Sequence, residues 1–152
     1  MNTFMNIKST AAIMGIVLLG GCFESNEEKI IGYWNCQLSA ATGSGTGLTQ
    51  YVSGGDWSGE AELNLVEDGI SMSIAVVGAG TWRIDGDEII ERTTNMSVME
   101  LVVGGVTVPP SSLPSEFLET IMASATASTI VTLDDDNLIM RNPDQTATCR
   151  RR

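Results

Sequence analysis

The sequence predicts a mainly β fold: an antiparallel up-and-down β-barrel or strongly curled sheet of about eight short strands, with one short α-helix. Three features predict it. Apolar residues recur at every second position in run after run, Asp-Gly pairs separate two of those runs, and the connections are short enough for successive strands to pair as hairpins. A β-sandwich of the same strand number is the competing architecture.

The first strand is read from Ile30, Trp34, Cys36 and Leu38 on one face, with Gly32 between them, and from Tyr33, Asn35 and Gln37 on the other. Ala40 to Gly55 is rich in Gly, Ser and Thr and reads as a long flexible loop. Ala61, Leu63 and Leu65 then alternate with Glu60, Glu62 and Asn64, and after Asp68-Gly69 the residues Ile70, Met72, Ile74 and Val76 alternate with Ser71, Ser73 and Ala75. A two-residue hairpin turn with positive φ at both centres suits Asp-Gly. Gly78-Ala79-Gly80 reads as another reversal, Trp82 and Ile84 as a strand, and Asp85-Gly86 as a hairpin into Glu88 to Arg92.

Met96 to Val103 reads as a further strand ending at Gly104-Gly105. Pro109, Pro110 and Pro114 mark an irregular crossing. Phe117, Leu118, Ile121, Met122 and Ala125 then follow at helical spacing, and Ser115, Glu116 and Glu119 suit the positive N-terminal end of an amphipathic helix. Strands resume over Ser128 to Leu133 and Leu138 to Arg141, with turns at Asp134 to Asn137 and Asn142-Pro143-Asp144, and a last strand ends at Cys149.

The N-terminus has a different character. Lys8 gives a thin positive region, Ala11 to Leu19 are an apolar run too short to span a bilayer, and Gly20 and Gly21 follow, which is the pattern of a secretory signal. Leu19-Gly20-Gly21-Cys22 resembles the lipobox of bacterial lipoproteins. The resemblance implies a signal peptide over residues 1–21, a diacylglycerol on Cys22, cleavage before it, and acylation of the new amine by a chain such as palmitate. Phe23 in place of Asp implies the cell outer membrane, facing the periplasm, by the sorting rule of such lipoproteins. An ordinary signal peptide with Cys22 in a disulfide is the alternative. Residues 22–29, CFESNEEK, then read as a lipidated tether, and residues 30–152 as the barrel domain.

Removing 21 of 152 residues leaves 131, enough for one domain with a core. Loss of Lys8 takes the formal charge from −11 to −12, a surface that repels nucleic acid and anionic lipid. The basic cluster Arg150-Arg151-Arg152 reads as a solvated tail, or more sharply as a contact with membrane phosphates or an acidic partner. With Cys22 lipidated, Cys36 and Cys149 remain, and in an oxidising compartment two such cysteines pair. Pairing them sets the first and last strands side by side and favours a closed barrel.

Each tryptophan stands two residues after a glycine: Gly32 and Trp34, Gly55 and Trp57, Gly80 and Trp82. The first of these is similar to the G-x-W of lipocalins and lipocalin-like proteins, and Gly80 to Ile89 resembles the central hairpin of bacterial lipocalin-like domains. The resemblance implies a calycin-type barrel in which Trp34 plugs one end and an Arg near the last strand packs over it, Arg141 being the candidate. The second and third lipocalin motifs have no counterpart here.

Enzymatic chemistry finds few residues to use. The chain contains no His, its cysteines are assigned to lipid or a disulfide, and no phosphate-cradling glycine loop is present. The acids Asp85, Asp87 and Asp134 to Asp136 fall in turns at spacings unlike a Ca²⁺ loop, so neither catalytic residue, metal nor cofactor is expected.

Two functions remain. In one, a barrel anchored through the lipid on Cys22 presents its acidic surface and the segments Ala40 to Gly55 and Gly104 to Pro114 to an envelope protein partner. In the other, it carries a small lipophilic ligand. The short inward runs favour a filled interior, with Trp34, Leu63, Leu65, Met72, Ile74, Val76, Trp82, Val131 and Leu133 expected to point into it. The interaction or scaffold module is therefore the first expectation.

Overall fold

A computed structural model describes residues 24–123 and 125–152. The signal segment and Cys22 lie outside the described residues. Helix α1 (Asn26–Ile30) precedes strands β1 (Gly32–Ala40), β2 (Gly43–Val52), β3 (Asp56–Glu67), β4 (Ile70–Asp85), β5 (Glu88–Val103) and β6 (Val106–Val108). A 3-10 turn at Pro110–Ser112 leads to helix α2 (Ser115–Ala123), and β7 (Ala125–Leu133), β8 (Asn137–Arg141) and β9 (Gln145–Arg151) complete the chain. Successive strands β1 to β5 pair antiparallel, β5 pairs β7, β7 pairs β8, β8 pairs β9, and β9 returns to β1. Eight strands thus close an antiparallel barrel, while β6 adds only to the end of β5.

Cys36 and Cys149 are direct register partners across the closing β1–β9 pair and form a disulfide. The Asp68-Gly69 hairpin has the expected form: Glu67 pairs Ile70, and both turn residues have positive φ, 49° and 78°. At the second hairpin the two-residue loop is Gly86-Asp87, one position later than expected, because Asp85 pairs Glu88. Only Gly86 there has positive φ, the pattern of a type II′ turn.

The segment expected as a loop, Ala40 to Gly55, contains β2. Its inward positions are Gly43, Gly45, Gly47, Thr49 and Tyr51, and the three glycines pair with Leu65, Leu63 and Ala61 of β3 and with Ala40, Leu38 and Cys36 of β1. A Cβ at Gly45 would lie 2.8 Å from both the Glu62 carbonyl oxygen and Leu63 Cδ2. Neighbouring leucines therefore fill the space that side chains of β2 would need, and the strand carries little apolar signal of its own.

Gly78-Ala79-Gly80 is likewise no reversal. The chain runs straight on through β4, which like β5 is 16 residues long, so these strands are not short. The glycines accommodate a register shift between Ala79 and Gly80 and the close approach of Trp57, whose Nε1 would lie 2.8 Å from a Cβ at Gly80. The two stretches read as separate strands, Glu88 to Arg92 and Met96 to Val103, are one strand. Similarly, Ala125 belongs to β7 and not to the helix.

The tether contains structure too. Ser25 caps α1 with a reciprocal pair of hydrogen bonds: its Oγ accepts from the Glu28 N–H at 3.2 Å, and the Glu28 carboxylate accepts from the Ser25 N–H at 2.9 Å. Ile30 closes that helix, fully buried, instead of opening β1.

The core gathers Ile30, Trp34, Tyr51, Trp82, Ile89, Leu138 and the disulfide. Of the residues expected inward, Trp34, Ile74 and Trp82 are buried, and Leu63, Leu65, Met72, Val76 and Leu133 are half-buried. Val131 is not inward. Its β7–β8 register shifts between Ile130 and Thr132, so Val131 is the unpaired residue of a bulge and is 52% exposed.

Candidate functional site

Alternation along the strands brings Trp34, on β1, and Arg151, on β9, to directly opposed inward positions at one end of the barrel. The guanidinium carbon lies 4.2 Å from the Trp34 ring centroid, a cation–π stack. Arg151 also donates to three backbone carbonyls: Nη1 to Ile31 at 2.8 Å, Nη2 to Lys29 at 2.5 Å, and Nε to Asp135 at 2.5 Å. Trp34 Nε1 donates to the Ile30 carbonyl at 2.7 Å. Helix α1, the first strand and the last strand are thereby clasped together, closing the barrel end.

Gly32 makes this possible. It has φ of 138°, and a Cβ there would lie 2.5 Å from Arg151 Nη1. The sequence expectation therefore needs one correction: the arginine over Trp34 is Arg151, not Arg141. Leu138 and Met140 of β8 are buried inward, so alternation turns Arg141 to the exposed outer face. Arg151, by contrast, shares the inward parity of Ala147 and Cys149, and so is not part of a solvated tail.

Two residues not singled out from the sequence meet inside the barrel. Tyr51 is buried and donates its hydroxyl to Glu91 Oε1 at 2.7 Å. Its ring packs edge-on to Trp82, centroids 5.7 Å apart, while Trp82 Nε1 donates to the carbonyls of Val52 and Asp56. Glu91 shares its strand face with buried Ile89, a charge on an apolar face, and that was a readable signal; Tyr51 was hidden in the supposed loop. Beside them lies a cavity of about 120 Å³ whose lining includes Leu38, Thr49, Ser128 and Met140. Trp57, the register partner of Tyr51 on β3, has its Nε1 buried without a hydrogen-bond partner.

Burial holds the Glu91 carboxyl above its ordinary value, and the hydrogen bond from Tyr51 opposes this only in part. Burial, with the negative Glu91 beside it, pushes the Tyr51 hydroxyl well above its own ordinary value. A carboxyl whose pKa is raised by folding binds more protons folded than unfolded. Its contribution to stability is complete below the ordinary value of 4.5 and is lost as pH rises through the folded value. Glu91→Gln keeps an acceptor for Tyr51 without a charge to desolvate. The variant's urea midpoint relative to wild type is therefore expected to rise between about pH 4 and pH 7. A relative midpoint that falls over that interval contradicts this account of Glu91.

Among the described residues no group of three or more His, Cys, Asp or Glu is placed to hold a metal ion. The cavity beside Tyr51 and Glu91 has polar groups enough for a few ordered waters, and its volume is well below the roughly 300–1,000 Å³ of small-molecule sites.

No family model matches the chain, and no curated protein matches it. Among solved structures it is similar to a lipocalin-like protein from Bacteroides uniformis ATCC 8492, at 13% identity, covering 82% of this chain and 99% of that one, with a TM-score of 0.38. It is also similar to an uncharacterized protein from Bacteroides eggerthii DSM 20697, at 8% identity, covering 81% of this chain and 99% of that one, with a TM-score of 0.39. Likenesses this distant carry no argument about function, which rests on the geometry.

Proposed function

We propose that this chain is a lipid-anchored envelope lipoprotein whose barrel serves as a scaffold, binding a protein partner on its outer surface rather than a lipophile within. The observation that carries the reading is the interior volume. Bulky side chains from all around the barrel meet inside it, one end is closed by Trp34 and Arg151, and the cavity beside Tyr51 and Glu91 is only about 120 Å³. Such an interior is a packed core and leaves the outer face for recognition.

Anchoring rests on the lipobox-like Leu19-Gly20-Gly21-Cys22. Cys22 and Asn26, the start of α1, are four residues apart, a span of at most about 14 Å when fully extended. The plugged end of the barrel then sits close to the membrane, and the opposite end and flanks face the periplasm. In cells, wild-type chain is expected to take up labelled fatty acid and to partition into detergent, and Cys22→Ser to do neither. An equally membrane-bound Ser variant would contradict the anchor.

A further inference from the structure

The outer face of the barrel carries a groove of about 790 Å³ built from two adjacent cross-strand rows. Register places Arg150, Asn35, Leu48, Glu60 and Val77 in one row, across β9, β1, β2, β3 and β4. Thr148, Gln37, Thr46, Glu62 and Ala75 form the next. All point outward, opposite to the inward positions Cys36, Gly47 and Ala61, which lie between the rows and also line the groove.

Met99 completes one wall. The β4–β5 register shifts between Ala75 and Val76, so Val98 and Glu100 are paired and Met99 is the extra residue of a bulge. A bulge re-aims a side chain out of the regular alternation, and here it leaves Met99 64% exposed at the groove beside Val77. Methionine is an adaptable apolar contact, and Met99, Leu48 and Val77 give the groove apolar contacts that alternate with charge, because Glu60 stands between Leu48 and Val77 in their row.

Charge identifies the occupant. Glu60 stands between Leu48 and Val77 and Glu62 in the adjacent row, and neither has an ion-pair partner among the described residues, where the single salt bridge is Arg83 to Asp85. Glu62 accepts only a 3.5 Å hydrogen bond from Ser73. Arg150 stands at the far end of its row, on β9, separated from Glu60 by Asn35 and Leu48. The groove therefore offers apolar contact flanked by two uncompensated carboxylates on a chain of strongly negative charge.

We propose that this groove binds a segment of a partner protein in which Lys or Arg residues alternate with apolar ones, the cations meeting Glu60 and Glu62 and the apolar side chains meeting Leu48, Val77 and Met99. The proposal rests on the reading of the barrel as an interaction scaffold and names the partner's chemistry. A second copy of this chain fits poorly, since its surface shares the same sign.

The probe is a fluorescent ten-residue peptide of alternating Lys and Leu, titrated against the lipidated full chain on phosphatidylcholine vesicles, with binding to empty vesicles subtracted. Alternating Lys–Ser and Glu–Leu peptides are each expected to bind about tenfold or more weakly than Lys–Leu. The double variant Glu60→Gln, Glu62→Gln and the single variant Met99→Ser are each expected to weaken Lys–Leu binding about tenfold. Glu116→Gln, Glu119→Gln on α2 removes the same charge away from the groove and is expected to leave binding unchanged. All of these positions are exposed, so the folds are expected to be retained. Absence of Lys–Leu binding, equal binding of Lys–Ser, or equal losses from the groove and helix variants would overturn the proposal. Any of those results leaves the filled interior standing, because truncating Ile74 reads the interior separately.

Discussion

Reducing the Cys36–Cys149 disulfide is expected to destabilise the exported, unlipidated chain by about 4 to 5 kcal/mol, on the loop-closure entropy of a cross-link spanning 113 residues. The bond joins register partners on the first and last strands, so it restrains the step with the greatest sequence separation in barrel closure. The native ladder between β1 and β9 does not depend on the sulfur bridge for its backbone hydrogen bonds. Reduction should accordingly lower the urea midpoint sharply while far-ultraviolet circular dichroism in the absence of denaturant keeps its strand signal. The Cys36→Ala, Cys149→Ala variant should behave like the reduced protein, with a further small loss from the removed sulfurs. A midpoint unchanged by reduction would mean that the loop is already restrained in the unfolded chain, and two free thiols in oxidised protein would remove the bond itself.

What the sequence disclosed follows from which strands bury side chains of their own. Leu63 and Leu65 against Ile74 and Met72 alternate cleanly about Asp68-Gly69, and that hairpin is present with its register intact. β2 was illegible because its inner face begins with Gly43, Gly45 and Gly47 before reaching Thr49 and Tyr51, with the apolar volume at the glycines supplied by the strands on either side. A period-two reading takes such a strand for a loop. Irregularities mislead in the opposite direction: Gly78 and Gly80 look like punctuation, yet they serve a bulge and the packing of Trp57 within a continuous strand.

The site shows the same division. Gly32 and Trp34 could be recognised locally, because φ and ring size constrain the positions themselves. The choice between Arg141 and Arg151 is a matter of parity at the end of the chain, and parity is countable only once β8 and β9 are placed against buried Leu138, Met140 and Cys149. The capping box of α1 was written openly as Ser25 to Glu28, though its polar setting resembles a tether. Glu91 was detectable as an acid in phase with Ile89, but its partner Tyr51 lay in the strand that glycine concealed. The outer groove depends on five aligned strands and a bulge at Met99, which no single stretch of sequence encodes.

The central claim is that the barrel interior is a packed core, and the most direct test is Ile74→Ala in the exported, unlipidated chain purified without detergent. Ile74 is fully buried on β4, with Leu63 of β3 and Leu101 of β5 as its register partners. Truncating it removes three methyl or methylene groups from a site whose neighbours are fixed by the ladder on both sides, so the void can close only in part. The expected loss is about 2 to 5 kcal/mol, the range for Ile→Ala in filled cores. It should appear as a lower urea midpoint with an unchanged slope, and native mass spectrometry of wild type and variant should give the mass of the chain alone. A change near zero, together with a co-purifying lipophile in the wild-type spectrum, would contradict the account: Ile74 would then line an occupied pocket, and the barrel would be a carrier.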